Sequence, residues 1–415
     1  MQFREQFPSH FPLFKAGDRG YRKPVKNGNA EKAAPARIAQ LDGLRGIAVA
    51  LVVMFHYSYG IWYLPVIGAI VSRAWVGVDL FFVMSGFLIG GIVIANKNAD
   101  NLYSVFYFRR FLRIFPLYYL LLAVVAISVW VGWMPGPEHG SLLLYAVYLQ
   151  NIPIMLTHDY GMIWLQPTWS LAIEEHFYLV LPLLVVLTPP RFLKSILVSG
   201  ILLAIFMRCL GYLIPVAYPH DFGYYFTLCR VDELFYGVLL ACLIRDKDPS
   251  GSGRAWTAWC YAGAIVFGLG FLIVSHLDVY HFSKELLLIT VGMSFLGPFF
   301  FCVVALSILH ERGLVALITK ARPLRWLGIH TYAIYLFHIP AVESVNAFFK
   351  LHAINPHGCT YPLAIALTLV CATASWHLIE APLIQRGHRV RYGKGSERPV
   401  LSAEVPLPIS DRQPG

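Results

Sequence analysis

Residues 41–60, LDGLRGIAVALVVMFHYSYG, decide the fold. From Gly46 to Phe55 the stretch carries no charge, and the apolar residues fill every face instead of alternating with polar ones. A helix that is apolar all round is buried in a large core or in a bilayer. The same kind of run recurs along the chain in blocks of about 18 to 25 residues, the length a helix needs to cross the hydrocarbon of a membrane. The chain has 415 residues, 57% of them hydrophobic and 13% charged. Soluble domains carry about 25% charged residues, so a water-soluble fold is excluded.

Ten spans are expected, at 43–63, 74–95, 114–133, 168–188, 195–214, 224–244, 256–275, 285–309, 327–347 and 361–380. The fold class is all-α, a polytopic membrane helical bundle. Three parts follow: a basic tail at 1–40, a membrane domain at 41–386, and a tail at 387–415 expected to be disordered and cytoplasmic. The N-terminal tail is polar and basic, so the first span is expected to act as an uncleaved signal. Residues 141–156, SLLLYAVYLQNIPIML, are apolar but short, and hold Asn151 and Pro153. They are read as a re-entrant or interfacial helix, because an eleventh span would reverse every later loop.

Orientation follows from Lys and Arg. With the N-terminus inside, the inner segments hold 27 of the 33 basic residues, and that bias places both termini in the cytoplasm. The same bias accounts for the net charge of +10 without nucleic acid as a partner. The seven cysteines are scattered and form no CxxC pair, so neither a metal centre nor a disulfide framework is expected. No internal repeat is visible, which disfavours a secondary transporter.

A charge inside a bilayer costs about 3 kcal/mol, so ionisable residues in spans mark function. Arg45 and His56 are eleven residues apart, which puts them within about 20° on one helix face and about 16 Å apart along its axis. Asp42, one turn before Arg45, is placed to orient it. His56 reads either as a hydrogen-bonded packing histidine or as a general base. Arg109, Arg110 and Arg113 cluster within one turn at the expected inner membrane surface, as a positive anchor or as a clamp for the phosphates of a cytoplasmic donor. In TWSLAIEEHFYLVLPLL, at 168–184, Ser170, Glu174 and Tyr178 share one face. Asp79, Arg230, Asp232 and His338 are candidate substrate-binding residues, although Arg230 and Glu233 could simply pair with each other. Ser85, Gly86 and Gly90 read as small packing residues. By depth, His56, Asp79, Glu174, Arg230 and Asp232 fall in the outer halves of their helices, with Arg45 and the Arg109–Arg113 cluster on the inner side.

The pairing of Arg45 with His56, GVDLFFVMSGFLI at 77–89, the RxxR at Arg110 and Arg113, WSLAIEEHFY at 169–178, RVDELFYG at 230–237, LGIHTYAIYLFHIP at 327–340 and IEAP at 379–382 together resemble acyltransferase family 3 over most of residues 40–386. The resemblance implies transfer of acetyl or other short acyl groups onto hydroxyls of surface carbohydrates such as lipopolysaccharide O-antigen, exopolysaccharide, peptidoglycan or Nod factor. Acetyl-CoA is the implied donor substrate, with no permanently bound cofactor. Membrane lipids and a glycan or lipid-linked oligosaccharide are the implied partners. The implied location is the bacterial inner membrane, with multiple passes. Carried onto these positions, the resemblance implies His56 as the catalytic residue, Arg45 as its essential companion, Glu174 as the family's carboxylate, and Arg110 and Arg113 as donor-site residues; Arg109 joins the expected donor site as a member of the same arginine cluster. His56 serves as base or as carrier of an acyl-imidazole. A transporter and a non-catalytic membrane scaffold are the rival classes.

Overall fold

The computed structural model describes residues 39–57, 65–246, 253–281, 286–309, 314–355 and 358–396. The expected tail at 1–40 lies almost wholly outside them, as does 397–415. Among the described residues the fold is all helix and turn. Ten helices have 16 residues or more: α1 (Ala39–Tyr57), α2 (Gly77–Asn96), α3 (Leu102–Trp130), α4 (Trp169–Leu187), α5 (Pro190–Leu213), α6 (Thr227–Asp246), α7 (Gly253–His281), α8 (Met293–Leu309), α9 (Thr331–Leu351) and α10 (Thr360–Ser375). Each corresponds to one expected span. Among the described residues, eight helical stretches are long and apolar enough to cross a membrane, and α6 and α9 are not among them. Both carry polar residues on faces that the bundle buries, among them Arg230, Asp232 and Glu233 in α6 and His338 in α9.

The apolar surface faces outward. On α5, Leu202 and Leu213 are 61% and 80% exposed, and on α7 Trp259 is 76% exposed. In water such a surface would aggregate; in lipid it is the solvated face. Helix association in lipid gains little from apolar burial and depends on close backbone approach. The glycines supply it. A Cβ at Gly86 of α2 would lie 1.9 Å from the Leu234 carbonyl oxygen of α6, and one at Gly237 of α6 would lie 2.1 Å from that of Val83. Gly46 of α1 meets the carbonyl of Leu324, in the short helix Arg322–Ile329, in the same way. The packing role expected of Gly86 therefore holds, and Gly86→Ala is expected to cost about 1–3 kcal/mol or more, because two backbones have to separate. A lowered thermal midpoint in detergent checks this; an unchanged midpoint would show that the crossing is loose.

Three features depart from the sequence reading. The first is α3. The span was expected to begin at 114, with the arginines at the membrane surface, but the helix starts at Leu102. Arg109, Arg110 and Arg113 thus lie about 10 to 16 Å along it. Pro116 lacks the N–H that would bond to the Leu112 carbonyl, yet the helix runs on through it. The second is segment 141–156: it does not span, as expected, but it forms two short helices, Leu142–Ala146 and Asn151–Thr157, instead of one. Asn151 Nδ2 donates to the carbonyls of Trp169 (3.1 Å) and Tyr225 (3.0 Å), tying the segment to the start of α4.

The third is the start of the C-terminal tail. It was expected to be disordered from 387, but the short helix Ala381–Arg389 continues past that point. The chain then docks on the first turns of α3. Asn101 Oδ1 accepts from Gly393 N–H (2.7 Å), and Asn101 Nδ2 donates to the Arg391 carbonyl (3.1 Å). Arg109 donates to the Val390 carbonyl through Nε (3.3 Å) and Nη2 (2.8 Å).

Candidate active site

A cavity of about 130 Å³ opens between α1, α2, α3, α4, α9 and the chain around Glu380. Arg45, Arg110, Arg113 and Glu174 line it together with Ser85, Ser170, Tyr178, Tyr335 and Glu380. Arg45 Nη1 lies 3.9 Å from Asp42 Oδ1, the orientation expected from their one-turn spacing. Ser170, Glu174 and Tyr178 all face the cavity, as i, i+4, i+8 requires. Tyr178 Oη donates to Glu174 Oε2 (2.9 Å), so the 2.5 Å contact between Ser85 and Tyr178 has the serine hydroxyl as donor. Ser85 is therefore a cavity residue, although it was read as packing.

The expected separation of Glu174 from the arginines by depth does not hold. Because α3 carries Arg110 and Arg113 deep along the helix, these two meet Glu174 in one chamber. A second, smaller cavity of about 40 Å³ shares Arg45, Arg110 and Arg113 with the first and adds Arg109, His388 and Tyr392.

His56 and His338 do not line the chamber; they sit farther along α1 and α9. Their rings are 4.8 Å apart, and the His338 ring lies 5.8 Å from that of Tyr335, a cavity residue. The hydrogen bonds fix both tautomers. His338 Nδ1–H donates to the Tyr335 carbonyl (2.6 Å), which leaves Nε2 with its lone pair. That nitrogen is 3.3 Å from His56 Nδ1, which also lies 2.9 Å from the Val52 carbonyl. His56 Nδ1 must then carry the proton, and Nε2 is the basic nitrogen. Tyr57 Oη donates to the His338 carbonyl (2.5 Å) and holds the turn in place. His338, expected as a substrate-binding residue, is thus placed as the partner of His56.

Asp79, Arg230 and Asp232, also expected to bind substrate, are no more than 1% exposed and do not line the chamber. Arg230 Nη2 bonds to Asp79 Oδ1 at 2.6 Å, and its Nε lies 3.5 Å from Glu233 Oε1. The open pairing of Arg230 with Glu233 is present, but it is the longer of the two contacts. Asp232 Oδ2 accepts from Arg208 Nη2 at 2.6 Å, and Arg208 Nη1 donates to the Cys229 carbonyl. The rings of Phe82, Trp169 and Tyr224 surround the Arg230 guanidinium at 4.9 to 5.6 Å. Five charged groups thus close on one another and tie α2, α5 and α6 together.

Sequence reasoning gave no role to Glu380, which it read only as part of IEAP at 379–382; this residue enters the chamber from a π-helical turn, Trp376–Glu380, and accepts from Ser375 Oγ (2.9 Å). Such turns recur at functional sites, and no residue pattern announces this one. It also missed a cluster at the opposite end of the bundle from the start of α3. There Asp221 accepts from His158 Nδ1 (2.5 Å), His220 Nδ1 (3.0 Å) and Tyr160 Oη (3.1 Å). Burial would raise the Asp221 pKa, but the bonds from His220 and His158 outweigh it and hold the carboxyl below its usual range.

Comparison with known proteins gives the family. The family model described as an acyltransferase domain matches residues 38–377. The peptidoglycan O-acetyltransferase OatA of Listeria monocytogenes is 30% identical over 383 residues, covering 86% of this chain and 57% of the relative. The O-acetyltransferase OatA of Staphylococcus aureus is 25% identical, covering 86% and 58%. The chain therefore spans somewhat over half the length of these relatives. No solved structure matches significantly. The protein, a multi-pass membrane bundle with an arginine-lined chamber and a histidine pair formed between α1 and α9, belongs to acyltransferase family 3.

Proposed function

We propose that this protein is an O-acyltransferase that moves an acetyl or other short acyl group from cytoplasmic acyl-CoA to a hydroxyl of an exported glycan. One observation carries the reading: α1 presents Arg45 to an arginine-lined chamber and, about 16 Å farther along the same helix, an oriented histidine. The arginines suit the phosphates of the donor. The relatives' names, which give an O-acetyl product and in one case peptidoglycan as acceptor, support the reaction class and a glycan acceptor. In this reading acyl-CoA is a substrate.

A sugar hydroxyl is a weak nucleophile, so a base is needed. His56 Nε2 takes the hydroxyl proton as the oxygen attacks the thioester carbonyl. The C–S bond then breaks, and the thiolate recovers the proton from His56. Alternatively, Nε2 attacks the thioester carbonyl first, the C–S bond breaks and CoA leaves as the thiolate; the sugar hydroxyl then attacks the acyl-imidazole, the C–N bond breaks, and the hydroxyl proton passes to the thiolate. Glu174, hydrogen-bonded to Tyr178, holds a polar group of either substrate in this reading. Arg110, Arg113 and Arg45 clamp the phosphates from the cytoplasmic side.

The test is transfer of label from acetyl-CoA to glycan by membranes containing the protein. Label incorporation that needs acetyl-CoA supports the reading, and incorporation no greater than in membranes without the protein overturns it. Arg113→Gln is expected to raise the KM for acetyl-CoA by about tenfold with kcat largely retained, the loss of one charge-assisted contact. An unchanged KM in a folded variant would remove Arg113 from the donor site.

A further inference from the structure

The docked C-terminal segment forms a wall of the smaller cavity. His388 and Tyr392 face the same space as Arg109, Arg110 and Arg113. The segment is held there by the Asn101 bonds, by the Arg109 bonds to Val390, and by Asp100 N–H donating to the Lys394 carbonyl (3.3 Å). The Arg109 guanidinium sits 5.0 Å over the Tyr392 ring, so the aromatic plane is fixed relative to the arginines. Gly393 and Gly395 allow the close approach: a Cβ at either would meet Asp100 Oδ1 or the Asn98 carbonyl within about 2 Å. The small cavity adjoins the large one through the shared Arg45, Arg110 and Arg113.

A fixed aromatic ring beside clustered guanidinium groups is the chemistry that recognises a nucleoside phosphate. The ring stacks on the base, and the guanidinium forks hold phosphate oxygens. We propose that residues 388–392 complete a site for the nucleoside bisphosphate end of the donor, with Tyr392 against the base and Arg109 and Arg110 on the phosphates. The proposal rests on acyl-CoA being the donor, and it assigns recognition of the donor's far end to a segment outside the spanning helices. The acyl end then reaches through the shared arginines into the larger chamber.

The experiment uses the full chain in nanodiscs. Binding of adenosine 3′,5′-bisphosphate is measured first, for the unaltered protein, Tyr392→Ala and Tyr392→Trp. KM is then compared for acetyl-CoA and S-acetyl-4′-phosphopantetheine. Tyr392→Ala should weaken bisphosphate binding about tenfold, the worth of one stacked base. It should also shrink the KM advantage of acetyl-CoA over the shorter thioester by the same factor, while Tyr392→Trp restores both. Equal shifts for the two donors, or none, overturn the proposal. So does bisphosphate binding that is lost in phosphatidylglycerol nanodiscs and kept in zwitterionic ones, which marks a lipid headgroup site. If neither thioester is turned over, the acyl-CoA reading fails by itself, and the bisphosphate measurement still decides the nucleotide site.

Discussion

Replacement of His56 by Ala should lower acyl transfer by about 10²- to 10⁴-fold, the contribution of a positioned acid–base group, with folding intact. The expectation rests on tautomer geometry. Since His338 Nε2 faces His56 Nδ1 at 3.3 Å and the Val52 carbonyl lies 2.9 Å from that nitrogen, the proton is held on Nδ1 and Nε2 is kept basic. His338 acts through His56, so its removal should cost less. His338→Ala leaves the Val52 carbonyl as an acceptor for Nδ1–H, and a loss of about tenfold is expected for one weakened orienting bond. His338→Gln, whose side-chain oxygen can accept the same proton, should recover most of it. The measurement is initial rate at matched protein level. Full activity in His56→Ala would leave His56 a packing residue, and equal losses in both His338 variants would make His338 structural.

The second large effect concerns stability. Arg230→Leu should destabilise the bundle by about 3–5 kcal/mol, the cost of stranding a buried charge. Asp79 would keep its carboxyl in a fully buried site without its 2.6 Å partner. The double variant Arg230→Leu/Asp79→Leu removes both charges and should recover much of that loss, a coupling of neighbours that single substitutions cannot show. Thermal midpoints and yields of monodisperse protein in detergent test this. A stable Arg230→Leu protein with a raised KM for acceptor would return Arg230 to substrate binding, as first expected from its place in α6.

These outcomes bear on how much the sequence could reveal. All ten expected spans carry helices, because length and apolarity are local properties that a bilayer reads segment by segment. The bounds were less legible. The arginines of α3 looked like a surface anchor because charge signals a loop, yet a helix that can pair or hydrate its arginines inside the bundle continues through them. Face-sharing within one helix was also legible: Ser170, Glu174 and Tyr178 reach one chamber.

Partners were not legible. Asp79 and Arg230 are 151 residues apart in the chain, and His56 and His338 are 282 apart. Each was visible as a costly polar residue, but cost alone does not tell a substrate contact from a closed ion pair. The sequence by itself determined the membrane class, the helices and the residues that share a helical face, since these follow from composition and the 3.6-residue period. Only the tertiary structure decided which charges neutralise one another, that Glu174 meets the arginines, and that residues 390–394 dock on α3. Those facts depend on which helix faces meet and at what depth, and that is set by contacts between segments far apart in the chain.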